Sequence, residues 1–221
     1  MPKALTELPG DPDAGFPPIE AAPPQLDGLV AWGGDLSPRR LVNAYRHGCF
    51  PWYDLGQPIL WWSPDPRMVL DPERFHRSRS MARWLRRCQW QLQADRRFAE
   101  VIRRCAGIRR QGQRGTWILP EMIQAYENLH HLGIAHSIEV CDEAGALVGG
   151  VYGVAVGRMF FGESMFSAVG NGSKVALLGL CRWLSARGWP LIDCQMDSAH
   201  LRSLGAVLLP RAAFLARSRS L

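Results

Sequence analysis

Lysine is nearly missing from this 221-residue chain. Lys3 and Lys174 are the only two, although Lys and Arg together number 26 and the formal net charge is +6. No C-x-x-C pair occurs among the six cysteines (Cys49, Cys88, Cys105, Cys141, Cys181, Cys194). Their scatter argues against a zinc site or a disulfide scaffold and suits a reducing cytoplasm. No apolar run is long enough to cross a bilayer, and the first residues show no charged, apolar and cleavage-site pattern, so a cytoplasmic protein without a membrane association is expected. Phosphate-binding motifs are also missing. Gly149-Gly150-Val151-Tyr152-Gly153 does not match G-x-G-x-x-G, and Gly172-Ser173-Lys174 lacks the rest of a P-loop. His130, His131 and His136 lack partner ligands at metal spacing and read as helix-end histidines, so no metal is expected. Cys194 has no histidine in a recognisable order, which disfavours a thiol nucleophile.

Acidic residues are scarce in one stretch. Between Arg74 and Arg114, thirteen arginines stand against only Asp95 and Glu100. A charged helix face is most often simply solvated. Here Ser78 to Cys88 is amphipathic, with Met81, Trp84, Leu85 and Cys88 on one side and Arg79, Arg83, Arg86 and Arg87 on the other. Arg96, Arg97, Arg103, Arg104, Arg109, Arg110 and Arg114 extend it. A phosphate backbone is the partner this clustering favours, without any motif for reading bases.

The order of elements predicts a mixed α+β fold. Residues 1–25 read as an extended, partly mobile arm. A strand at 28–32 leads to a helix capped by Ser37, with Pro38 at its first position and Gly48 beyond its end. Aromatic and proline residues fill 49–66, and a boundary near Pro66 makes residues 1–66 a small N-terminal domain and 67–221 a second one. There a strand at 68–70, helices, three successive strands at 136–141, 147–156 and 158–166, a helix and another strand resemble an N-acetyltransferase-like core.

The informative chemistry lies between Arg158 and Gln195. Met159-Phe160-Phe161 ends on Gly162 and a carboxylate, Glu163. A loop with Gly170, Asn171 and Gly172 opens a helix that Ser173 would cap. Leu191-Ile192 then breaks off into Asp193-Cys194-Gln195. Along a regular strand Asp193 and Gln195 would project together. They read either as a helix cap with a surface amide or as a carboxylate orienting an amide. Glutamine is no ordinary base, but its carbonyl accepts from an amine and its NH₂ polarises a carbonyl. That suits aminolysis of an activated ester. Half-buried Glu163 needs a cation or several donors: Arg158 or Lys174 within the fold, or an ammonium or guanidinium on a substrate.

Ten segments closely resemble the bacterial leucyl/phenylalanyl-tRNA–protein transferases: GLVAWGGDLSP (28–38), AYRHGCFPW (44–52), PILWWSPDPR (58–67), FHRSRSM (75–81), GTWI (115–118), LGIAHSIEV (132–140), LVGGVYGV (147–154), FGESMFS (161–167), NGSKVAL (171–177) and LIDCQ (191–195). They run in order over nearly the whole chain. The resemblance implies an N-acetyltransferase-like (GNAT-like) C-terminal domain. It further implies an aminoacyltransferase that moves Leu or Phe from its tRNA to the N-terminal amine of proteins beginning with Arg or Lys, marking them for degradation. Carried over by motif, Asp193 and Gln195 are the catalytic pair and Glu163 the carboxylate of the amine site. Trp52, Trp117, Phe160, Met165, Leu177 and Ile192, with Ser167, fall at or near the substrate pocket. Arg79, Arg83, Arg86 and Arg87 stand on the tRNA-binding surface. The expected partners are Leu-tRNA and Phe-tRNA, the enzyme being a monomer without a cofactor. Val151 stands where relatives carry Met, and Leu180 and Leu184 where they carry aromatics, which implies a roomier pocket. An acyl-CoA-dependent acetyltransferase is disfavoured by the missing pyrophosphate loop before Ser173. A non-catalytic RNA-binding module would leave Glu163, Asp193 and Gln195 without a task.

Overall fold

The first strand lies where the sequence reads as a mobile arm. In the computed structural model, which describes residues 5–19, 24–108 and 116–221, β1 (Thr6–Leu8) pairs in parallel with β2 (Leu29–Gly33). The clasp is Arg40 on α1 (Pro38–Arg46), a fully buried side chain whose guanidinium donates to the carbonyls of Pro9, Asp11 and Ala14. A guanidinium has five donors in a fixed fork, so it can gather several backbone carbonyls where a hydrophobe could not. The α1 start follows the expectation: Ser37 Oγ accepts from the Arg40 amide, with Pro38 beside it. Strands β3 (Phe50–Pro51) and β4 (Leu60–Trp62) complete a four-stranded sheet in the order β1-β2-β4-β3. Trp61 is buried there and Trp62 half-buried.

The chain crosses to a second sheet at β5 (Arg67–Leu70). Beyond it come α2 (Arg79–Leu85), β6 (Gln91–Ala94), α3 (Phe98–Gly107), α4 (Pro120–His131), β7 (Ala135–Cys141), β8 (Leu147–Val156) and β9 (Met159–Ser167). Then follow α5 (Gly172–Ser185), β10 (Leu191–Gln195), α6 (Ala199–Ser203), β11 (Val207–Leu209) and α7 (Arg211–Arg219). The strand order is β11-β5-β10-β9-β8-β7-β6. Strands β6 to β9 form an antiparallel meander, and α5 then carries the chain over to β10, parallel to β9. This is the acetyltransferase-like arrangement expected from the element order.

Alternation along the strands sorts side chains into two cores, one on each face. Met159, Phe161 and Leu191 join α1, α3, α4 and the first sheet. Phe160 and Ile192 join α5, with Met81 of α2 and Leu204. Helix α5 lies tight against β8 because both sides of the contact are glycine: a Cβ on Gly149 would sit 2.4 Å from the Gly172 backbone. Its cap differs from expectation. Asn171 at φ 75° is the N-cap without a side-chain bond, and the Ser173 amide donates instead to Ser167 Oγ at 2.6 Å.

Candidate active site

Two β-bulges make the site. Where β8 meets β9, Tyr152 faces Ser164 and Gly153 faces Gly162, so Glu163 is the extra residue. Where β10 meets β5, Asp193 faces Val69 and Gln195 faces Met68, so Cys194 is the extra residue. The parallel ladder between β9 and β10 ends at Phe161 and Asp193, two residues before Glu163 and one before Cys194. A bulge bends its strand and re-aims the side chains beyond it. The C-terminal ends of β9 and β10, from Gly162 and from Ile192 onward, line a crevice, the usual ligand position in such sheets.

The bulge also corrects the expected alternation at Asp193 and Gln195, which do not project side by side. Asp193 is wholly buried, accepting from Arg67 Nε at 2.8 Å and Arg67 Nη2 at 2.6 Å. It steadies Gln195 through the backbone, since the Gln195 amide donates to Asp193 Oδ1 at 2.9 Å. This bond helps hold Gln195 at φ 62°, a left-handed conformation that non-glycine residues seldom adopt. The Gln195 side chain answers to a different carboxylate: its Nε2 donates to Glu163 Oε1 at 3.0 Å. A carboxylate facing it fixes the amide's orientation, leaving the carbonyl oxygen as the group's acceptor.

Glu163 is bound by neither Arg158 nor Lys174. Tyr45 Oη donates to its Oε1 at 2.8 Å and Tyr126 Oη to its Oε2 at 2.9 Å, while the two phenols lie 2.5 Å apart. Burial, and then the adjacent carboxylate, hold both phenols protonated far above their ordinary range. Burial likewise pushes Glu163 up to about 7, against the pull of the two phenol hydrogen bonds; Asp193 adds to the rise and Arg67 opposes it.

The crevice holds a cavity of about 550 Å³. Trp52, Trp117, Met165, Leu177 and Ile192 line it as expected, with Glu163 and Gln195 among them. Val151 and Leu180 line it too, whereas Leu184 is buried elsewhere. Two of the expected pocket residues do not reach this cavity. Phe160 turns into the α5 core beside Leu180 and Trp183, and Ser167 is occupied at the start of α5. His200 stands at the edge, its pKa lowered by burial and by Lys174. The Cys194 thiol is held protonated by burial, in keeping with its poor prospects as a nucleophile.

Arg79, Arg83, Arg86 and Arg87 are exposed and form no ion pair among the described residues. Met81 anchors their helix in the core that also holds Leu177, Leu180 and Ile192. The stretch that follows is less free than its composition implied. Arg97 and Arg104 pair with Glu100, and Arg103 pairs with Glu127 of α4. Arg109, Arg110, Arg114 and Gly115 lie outside the described residues. Sequence reasoning missed the parts played by Tyr45, Tyr126 and Arg67. The available signal was that a buried tyrosine needs a partner for its hydroxyl and a buried carboxylate needs donors.

The sequence matches the family model described as "Leucyl/phenylalanyl-tRNA protein transferase" over residues 69–219, and the model of that family's N-terminal domain over 34–65. A leucyl/phenylalanyl-tRNA–protein transferase of Xanthomonas euvesicatoria is 62% identical over 202 residues, 91% of this chain and 80% of that protein. One from Azotobacter vinelandii is 58% identical over 199 residues, 90% of this chain and 87% of that protein. Among solved structures, L-PGS from Bacillus licheniformis gives a TM-score of 0.41 at 10% identity, covering 76% of this chain and 53% of that one, too distant to bear on function. With the family model matched over residues 69–219 and identity above half along nine-tenths of its length, the chain belongs to the leucyl/phenylalanyl-tRNA protein transferase family.

Proposed function

We propose that this enzyme transfers Leu or Phe from aminoacyl-tRNA to the N-terminal amine of proteins beginning with Arg or Lys, and that Gln195 and Glu163 handle that amine. The observation that carries the reading is the Gln195–Glu163 hydrogen bond at the wall of an apolar cavity. The cavity takes the amino-acid side chain of the charged tRNA, with Trp52, Trp117, Met165, Leu177 and Ile192 around it. Rejection of Val and Ile rests on shape near Cβ, because apolar contacts alone discriminate by only about 1–3 kcal/mol per methylene. Val151 and Leu180 enlarge the cup and favour side chains that are broad far from Cβ.

The acceptor amine attacks the ester carbonyl, the new C–N bond forms, and the ester C–O bond breaks to release the ribose hydroxyl. The proton lost by nitrogen is balanced by the one gained at that oxygen. Gln195 offers its carbonyl oxygen to an N–H of the amine, while Glu163 holds the amide in place and supplies negative charge for the acceptor's cationic groups. An α-amino group has a pKa of about 7.7–8, so much of it is already neutral near pH 8. An aminoacyl ester arrives activated, which is why the reaction calls for no cofactor. The tRNA's phosphates lie against Arg79, Arg83, Arg86 and Arg87. Residues 1–66 form a small domain that contributes Trp52 to the cup, residues 67–221 form the catalytic domain, and the enzyme works as a cytoplasmic monomer.

The decisive assay mixes radiolabelled Leu-tRNA with an Arg-starting peptide, an Ala-starting peptide and acetyl-CoA in separate arms. Label on the Arg-starting peptide alone is expected. Turnover of acetyl-CoA, or tRNA binding without any transfer, would sink the reading.

A further inference from the structure

Asp193 is set by a residue that never touches the cavity. Arg67, the first residue of β5, is fully buried and grips Asp193 at two points through Nε and Nη2. Its guanidinium carbon lies over two rings, 4.8 Å from the centre of Phe50 of β3 and 4.6 Å from that of Phe214 of α7. Phe50 also lines the cavity. One planar group therefore ties together the first sheet, the C-terminal helix and the strand that ends in Gln195. A guanidinium does this because its fork matches a carboxylate at two points while its faces stack on aromatics; an ammonium does neither. Asp193 then passes the constraint on, holding the Gln195 amide at the one place where β10 bulges and φ turns positive.

We infer that Arg67, lying over the rings of Phe50 and Phe214, is the positioning residue of aminoacyl transfer, acting on Gln195 through Asp193. The inference rests on the reading of Gln195 given above. It makes Arg67 answerable for kcat rather than for substrate affinity, because what it fixes is the aim of one amide.

The test is a cycle of purified variants: Arg67→Lys, Phe214→Leu, Gln195→Ala and the Arg67→Lys/Gln195→Ala double variant, each confirmed folded by circular dichroism. Arg67→Lys keeps the charge and loses the fork. Its kcat is expected to fall by about 100-fold, the scale of a 1 Å misplacement at a reacting group, with KM for Leu-tRNA unchanged. Phe214→Leu removes one of the two rings and should lose several-fold in kcat, again at constant KM. In the Gln195→Ala background, Arg67→Lys should cost nothing more, because the group it aims is already gone. Parental kcat in folded Arg67→Lys overturns the inference, as does a further loss in the double variant or a loss that merely tracks the folded fraction. Should Arg67→Lys fail to fold, Phe214→Leu decides, and parental kcat there overturns it. Parental turnover in Gln195→Ala would instead remove the reading beneath it, so the two failures are told apart.

Discussion

The two bulges each stand beside a buried carboxylate, and the fold treats the two in opposite ways. At the β10 bulge, Asp193 meets a guanidinium at two points. At the β9 bulge, Glu163 meets two phenols and an amide, all neutral. Paired with a permanent cation, a carboxylate is part of the frame. Ringed by neutral donors in a buried place, it stays close to the balance between charged and uncharged forms. The contrast separates what holds the site from what the site works with, and it also explains why Glu163 rather than Asp193 faces the cavity.

The largest expected effect comes from breaking the frame. Asp193→Ala leaves Arg67 buried and unpaired, and removing one partner of a buried pair typically costs about 3–5 kcal/mol. Urea unfolding should show that loss together with inactivity. The comparison sharpens with Arg67→Met/Asp193→Leu, which removes both charges at similar volume. Its stability should return towards the parent while turnover stays absent; recovery of turnover would make the pair purely structural.

Next in size is Gln195→Ala. Loss of one preorganised polar group at a reacting centre costs about 10²–10³ in kcat. Leu-tRNA affinity, measured by filter binding, should stay within about twofold because the amide meets the amine rather than the tRNA.

Glu163 provides the pH-dependent half of the contrast. Its folded pKa, pushed up to about 7, lies above the ordinary carboxylate value. Between that ordinary value and about 7 the folded state binds the extra proton, so this group's contribution to stability falls as pH rises through the window and levels off above it. Glu163→Gln carries no such titration. Plotted against pH, the stability difference between parent and variant should slope over that range and be flat beyond it. A difference that is level throughout would show that Glu163 is not held neutral. Turnover of both proteins should rise as the acceptor amine loses its proton, at a pKa of about 7.7–8, and the parent should show a second acid limb near pH 7 that the variant lacks.

How far the sequence reached follows the same division between local and distant causes. Ser37 with Pro38, Ser78 and the alternation through β7 to β9 are local signals, and the elements they predict are present. The arm was misjudged because β1 is held by Arg40 from another element, and composition alone cannot show a clasp. At Asp193 and Gln195 the strand-like alternation expected of the sequence is broken, since a bulge depends on the register of β10 against β5, which lies far earlier in the chain. Tyr45 and Tyr126 sit on helix faces that read as simple packing; only assembly brings their hydroxyls to one carboxylate. The Arg-rich stretch divides likewise. Arg79 and Arg83 are exposed without an acidic partner among the described residues, whereas Arg97, Arg103 and Arg104 have one. Arg79→Glu/Arg83→Glu should therefore weaken tRNA binding and flatten its logarithmic salt slope, by about 0.9 for each duplex phosphate no longer neutralised. An unchanged slope would place the tRNA elsewhere.

Ser167 provides the smallest effect and tests the boundary of the cavity itself. By motif it belongs with the substrate residues, yet its hydroxyl oxygen accepts from the Ser173 amide at 2.6 Å and its hydroxyl donates to Ser173 Oγ at 3.0 Å. That amide is one of the donors a helix start leaves without an intrahelical partner, and Asn171, the N-cap, does not serve it with its side chain. Removing a side chain that satisfies such a donor costs about 1 kcal/mol. Ser167→Ala should thus lower thermal stability by that amount and leave KM for Leu-tRNA and for the Arg-starting peptide unchanged. A raised KM at parental stability would put Ser167 on the substrate side of α5, and the wall of the cup would have to be redrawn to include the helix start.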